Sequence, residues 1–105
     1  MGEIHRLSPQ LLKVAQNAVA RLEGNTGLQL TLAISYGARR ELVHAAQMFA
    51  QECMAGRVVP ADLNEDHFEK YLWTSQLEEY SDVDLLIRTS GEKRVSNFLL
   101  WQAAY

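Results

Sequence analysis

One cysteine, two prolines and no apolar run of membrane-spanning length mark what this 105-residue chain does without. A lone Cys53 excludes an intrachain disulfide and suits a reducing compartment, so a cytoplasmic location is expected. Its helical spacing gives it the role of a small core residue. No stretch approaches the ~20 apolar residues that a transmembrane helix needs. The chain is therefore read as soluble, without leader or anchor. An excess of positive charge is also missing. At a net charge of −3 the protein lacks the basic face of a general nucleic-acid binder, and no nucleic-acid partner is expected.

What charge there is lies unevenly. Residues 62–84 carry eight acidic side chains against one lysine, whereas the segments on either side are each net positive. The acidic stretch reads first as a solvated helix face. Ser8-Pro9 reads as a helix start, with Leu11, Ala15, Ala18 and Leu22 at helical spacing, Leu12 and Val19 widening the stripe, and Gly24 as the stop. A second helix is marked by Leu42, Ala46, Phe49 and Cys53 and stops near Gly56. Asn64 caps a third, with Glu65 and Asp66 where the helix dipole favours them and Leu63 and Phe68 at staple positions. Ser96 is the expected cap of a final helix, Asn97 to Tyr105 or beyond. His44 and His67 have no partners at metal-ligand spacing and read as surface residues.

Two segments read as strands. "LQLTLAIS" alternates Leu28, Leu30, Leu32 and Ile34 against smaller or more polar residues, and "VDLLI" is a short buried run. Helix, strand, helix, helix, strand, helix implies an α/β fold of parallel strands with helical crossovers on both faces. Two strands are too few for a covered parallel sheet. Residues 1–105 are therefore expected to be one partial domain of a larger α/β unit, or one that borrows strands from another copy.

The strand at Val83–Ile87 runs directly into Arg88, Lys93 and Arg94. In open α/β sheets, ligands bind beyond the carboxyl ends of the strands, where helix amino-termini also point. Two guanidinium forks, the Ser96 hydroxyl and a helix start together make an anion site, with Gly91 letting the backbone turn tightly. Glu92 orients an arginine or helps a metal. "SYGARREL" repeats the theme, setting Arg39 and Arg40 at a helix start where the dipole opposes them; Glu41 could offset that charge. If both loops share one sheet edge, a diphosphate would match the number of donors. The competing reading is an exposed loop whose charges pair with each other or with the acidic stretch. Asp82 and Asp84 read as structural, Asp84 bracing the arginine loop.

"DLLIRTSGEKRVSNFLLWQAAY" resembles the signature of the cis-prenyltransferases, the undecaprenyl diphosphate synthase family. "GNTGLQLTLAISYGARREL" is similar to that family's strand-and-loop segment, with Ser35 and Ala38 where asparagine and a second glycine are usual. "GEIHRL" resembles the segment ahead of the preceding helix. The resemblance runs over nearly the whole chain and implies its carboxyl-terminal portion, without the amino-terminal strands.

The implied activity condenses isopentenyl diphosphate with an allylic diphosphate, each addition making a cis double bond. The polyprenyl diphosphate product goes to a membrane lipid of the cell wall. By this resemblance Arg88, Arg94 and Ser96 hold the diphosphate of isopentenyl diphosphate, with Arg39 and Glu92 beside them. Leu28, Leu30 and Leu32 line a tunnel for the growing chain, Leu28 limiting its length; plain core packing is the alternative. Mg²⁺ is expected for the complete enzyme, with ligands outside this chain, and a homodimer is implied, with the helix of Trp101 and Tyr105 near its interface and core packing of those two residues as the alternative. A fragment of this extent is expected to be inactive alone. Two other readings stay open: a non-catalytic subunit or binding module of a heteromeric prenyltransferase, and an unrelated α/β phosphate-binding domain.

Overall fold

The computed structural model describes residues 1–104, and the chain divides into two compact units, residues 1–36 and 37–105. In the first, a 3-10 turn at Ile4–Arg6 leads into α1, Pro9–Leu22. Ser8 caps α1 as its sequence suggests, its hydroxyl accepting the Leu11 N–H at 3.3 Å, and proline stands at the first helical position. None of the residues of α1 is buried.

The stretch that follows, residues 28–34, forms no assigned strand, and Leu28, Leu30 and Leu32 are 96, 76 and 62 % exposed. One trace of pairing is present. The Met1 ammonium donates to the Leu32 carbonyl at 2.8 Å, and the Ile34 N–H donates to the Met1 carbonyl at 2.9 Å. A residue that bonds to both flanks of its opposite number makes one rung of a parallel pairing.

The second unit is built around α2, Ala38–Met54. Its buried stripe is Ala38, Glu41, Ala45 and Phe49, at spacings of three and four, so the packed face is rotated from the expected Leu42–Ala46 line. Ala46 is exposed and Cys53 only half-buried. Residues 60–62 form a 3-10 turn, and α3, Glu65–Glu69, is capped by Asn64, whose Oδ1 accepts the His67 N–H at 2.8 Å. Phe49 seats α3 on α2 through edge contacts with His67 and Tyr71, at ring separations of 5.9 and 5.8 Å. His67 thus packs as an aromatic rather than lying on the surface. Its Nδ1 lies 3.1 Å from the Asp62 carbonyl. His44 is likewise half-buried, its ring 5.4 Å from that of Trp73.

Beyond α3, 3-10 backbone runs through Trp73–Tyr80 with a break at Glu78, where φ is 51° and ψ −119°. Residues 83–87 do not form the expected buried strand: Leu85, Leu86 and Ile87 are 76, 43 and 77 % exposed. Asp84 is exposed and makes no hydrogen bond or ion pair to the arginine loop among the described residues. No strand is assigned among the described residues, so the parallel sheet is not formed within them. The physical reason is nonlocal: an extended segment gains little until a neighbour takes up its N–H and C=O groups and covers its apolar face.

The final helix does not form either. Ser96, Asn97 and Leu99 have φ of 52, 60 and 47°, outside the right-handed helical region. Residues 97–103 are bends and turns, held by isolated bonds such as Ala103 N–H to the Leu99 carbonyl at 2.9 Å. Tyr105, which that expected helix includes, lies outside the described residues.

Candidate functional site

The cationic loop folds back on itself at Ser90 and Gly91, both with φ of 67°. Two successive positive φ values are what a type I′ turn requires, and glycine supplies one of them without strain. The turn brings Arg88 across to Arg94: Arg88 Nη1 donates to the Arg94 carbonyl at 2.7 Å. Arg94 in turn is forked by Glu92, Nε to Oε2 at 3.0 Å and Nη2 to Oε1 at 3.4 Å. Glu92 therefore holds an arginine. The pair is open to water, with side chains 74 and 41 % exposed, so an incoming anion has little to displace. Lys93 and Ser96 are exposed beside it. Because no helix starts at Ser96, the donors available here are side chains rather than helix amides.

The second cationic segment meets the first at its backbone. Gly37 is the N-cap of α2 and has no side chain to serve as a cap. Asn97 supplies what is missing: its Oδ1 accepts the Arg39 N–H at 2.8 Å, and its carbonyl accepts the Ala38 N–H at 2.8 Å. A Cβ on Gly37 would stand 2.8 Å from Asn97 Nδ2, so a side chain there would have to displace the asparagine amide. The start of α2 and the end of the arginine loop are thereby joined. The Arg39 side chain is exposed and makes no ion pair with any described residue.

Beneath this joint lies a polar core. Glu41 is 1 % exposed; its Oε1 accepts the Trp73 N–H at 2.9 Å and its Oε2 accepts from Gln102 Nε2 at 3.2 Å. Gln102 Nε2 also donates to Thr74 Oγ1 at 2.9 Å. The Glu41 carboxylate thus serves inward, binding the segments on both sides of the arginine loop to α2. Glu69 performs a similar service at the rim, accepting from Trp101 Nε1 at 3.0 Å.

At the far end of α2, Glu52 and Arg57 form a two-bond pair at 2.6 Å each. The hydrogen bond from Arg57 chiefly holds the Glu52 carboxyl below its usual range, against the opposing effect of desolvation, and the Arg57 charge adds a lesser lowering. Desolvation chiefly raises the Tyr71 phenol.

Sequence reasoning brings Arg88, Arg94, Glu92 and Arg39 into view, and the structure gathers Arg88, Glu92 and Arg94 at one turn, with Arg39 joined through Asn97. Leu28, Leu30 and Leu32 belong to the other unit and are open to solvent. The residues missed are Asn97 and Glu41. Glu41 could have been found from its spacing, since a charged residue four before Ala45 and eight before Phe49 falls on the buried stripe. The acidic stretch lines a cleft of its own, with Asp66, Glu69, Glu78 and Asp82 on its wall, the wrong sign for a diphosphate. Among the described residues no three of His, Cys, Asp and Glu converge to hold a metal ion. They offer no cage for Mg²⁺.

Comparison with known proteins gives a consistent answer. The family model described as "Putative undecaprenyl diphosphate synthase" matches residues 1–105. The chain is 50 % identical over 105 residues to an isoprenyl transferase of Geobacter sulfurreducens, covering all of this chain and 42 % of the relative. It is 42 % identical to a ditrans,polycis-undecaprenyl-diphosphate synthase, (2E,6E)-farnesyl-diphosphate specific, of Lactiplantibacillus plantarum, again over all of this chain and 40 % of the relative. Among solved structures, lavandulyl diphosphate synthase from Lavandula x intermedia, in complex with dimethylallyl diphosphate, superposes with a TM-score of 0.89 at 39 % identity. That match covers 97 % of this chain and 43 % of the other. The chain therefore spans about two-fifths of the length of these relatives.

Proposed function

Matched along its whole length, the chain belongs to the undecaprenyl diphosphate synthase family of prenyltransferases, and from that premise we propose that it carries the isopentenyl diphosphate site of a cis-prenyltransferase. The enzyme would condense isopentenyl diphosphate with an allylic diphosphate into a polyprenyl diphosphate. The observation that carries this reading is the turn at Ser90–Gly91, which sets the Arg88 guanidinium 2.7 Å from the Arg94 carbonyl and leaves Arg94 in a solvent-exposed pair with Glu92.

Arg88 and Arg94 would grip the diphosphate through charge-assisted forks, and Ser96 would donate its hydroxyl. Arg39, joined to the same loop through Asn97, would add charge from the α2 side. Glu92 would keep Arg94 extended until a stronger anion takes its place. Bond formation asks nothing of these groups beyond holding the isopentenyl double bond at the allylic carbon, converting a bimolecular encounter into an oriented one. Neutralising the diphosphate also removes the repulsion between two polyanionic substrates in one pocket. Leu28, Leu30 and Leu32 would line the tunnel for the growing chain. In the complete fold, residues 28–34 and 83–87 would join a parallel sheet, a reading that the Met1 rung supports.

The test is a transfer assay on the full-length protein with labelled isopentenyl diphosphate, an allylic diphosphate and Mg²⁺. Elongated products in the wild type, lost in Arg88→Ala and Arg94→Ala, are expected. Transfer that appears only when a second polypeptide is added would favour the non-catalytic-subunit reading. Transfer undiminished in both variants would remove the arginine loop from the mechanism.

A further inference from the structure

Asn97 does two things at once. It sits one residue after Ser96 and three after Arg94, at the end of the loop assigned above to the diphosphate. Its side chain and carbonyl also close the first two amides of α2, the helix that begins with Arg39 and Arg40. A helix cap is ordinarily local: the residue just before the helix accepts from the second or third amide. Here Gly37 has no side chain with which to do so, although its backbone, at φ −153° and ψ 126°, is the extended one that any capping residue adopts. The cap comes instead from 58 residues away.

The backbone around Asn97 is shaped for this contact. Ser96 and Asn97 both lie in the left-handed region, a conformation that strains a non-glycine residue and persists only where the surroundings enforce it. Asparagine tolerates it best. The same conformation stops a helix from starting at Ser96, so the contact with α2 forms in place of that helix.

We infer that Asn97 is a positioning residue: by capping α2 in trans it fixes Arg39 against the Arg94–Ser96 loop, so that both cationic segments address one diphosphate. The inference rests on the isopentenyl diphosphate reading and adds the joint that makes the two segments one site. It separates two roles that a cap in cis would leave together. Capping keeps the helix end ordered; capping in trans also fixes a distance between loops.

The experiment exploits that separation. Three variants of the full-length protein are compared with wild type: Asn97→Ala, Arg94→Ala, and the double variant Gly37→Ser/Asn97→Ala. In the last, loss of the asparagine vacates the space a Cβ at position 37 needs, and the serine hydroxyl caps α2 in cis. Amide hydrogen exchange reports the helix end, and titration with isopentenyl diphosphate reports the site. Asn97→Ala is expected to speed exchange at the Arg39 amide roughly five- to tenfold, a cap's usual worth, with amides at Ala45–Phe49 unchanged as the folding control. It also weakens isopentenyl diphosphate binding about tenfold. The double variant regains protection at the helix start but not affinity.

Recovery of affinity together with protection would overturn the inference, since a cap in any position would then suffice. Binding lost in Arg94→Ala but unchanged in Asn97→Ala would overturn it while leaving the diphosphate site intact. No binding by wild type would overturn both.

Discussion

The start of α2 and the stretch Leu28–Ile34 were equally easy to read in the sequence, yet one is fully built and the other is bare. At the start of α2 the polar groups find partners in distant segments: Glu41 holds Trp73 and Gln102, and Asn97 holds Ala38 and Arg39. At residues 28–34 the alternating leucines face water, and among the described residues two bonds to Met1 are all that resembles a ladder. Both depend on nonlocal contacts. The difference is that the partners of α2 lie within this chain, whereas a parallel strand needs neighbours on each side and layers above and below. A pattern in the sequence states a requirement; whether it is met depends on which other segments are at hand.

The comparison can be broken most forcefully at Glu41. Glu41→Ala removes the carboxylate that accepts from the Trp73 N–H and leaves the Gln102 amide with Thr74 Oγ1 alone, and a loss of about 3 kcal/mol is expected from denaturant midpoints. Glu41→Gln, which keeps one acceptor, should lose less. Equal stability of Glu41→Ala and wild type would mean that the polar core is not what holds the arginine loop to α2.

A smaller effect is expected at the other end of the same helix. The folded Glu52 carboxyl is depressed by its hydrogen bond from Arg57, so the pair stabilises the fold above the ordinary glutamate range. That contribution fades as pH falls through the depressed value. Unfolding midpoints of wild type and Arg57→Ala, followed downward from about pH 5, should converge. A gap that widens with acid would contradict the assignment. In the bare region the expected effect is smallest. Leu30→Ser should change the stability of this chain by less than about 0.5 kcal/mol, because Leu30 is 76 % exposed. A cost of several times that would show that the leucine face is covered in solution.

Local signals were legible where the physics is local. Ser8 and Asn64 cap their helices through contacts three residues away, and such contacts are written in adjacent letters. The cationic turn was legible too, because Arg88, Glu92 and Arg94 meet within one loop. What could not be read was the conversion of Asn97 from the first residue of a helix into the cap of another. Asn97–Ala104 carries an acceptable helical pattern, and only the empty N-cap at Gly37 hints that a side chain elsewhere is required. The rotated stripe of α2 was missed for a related reason: Glu41 looked like a surface charge offsetting Arg39 and Arg40. The partners that bury it stand 32 and 61 residues away.

The most direct measurement is calorimetric titration of the full-length protein with isopentenyl diphosphate, comparing wild type with Arg88→Ala, Arg94→Ala and the double variant. Two lost charge-assisted contacts should weaken binding by about a hundredfold or more in the double variant. Affinity unchanged in the double variant would mean that the two arginines do not hold the diphosphate.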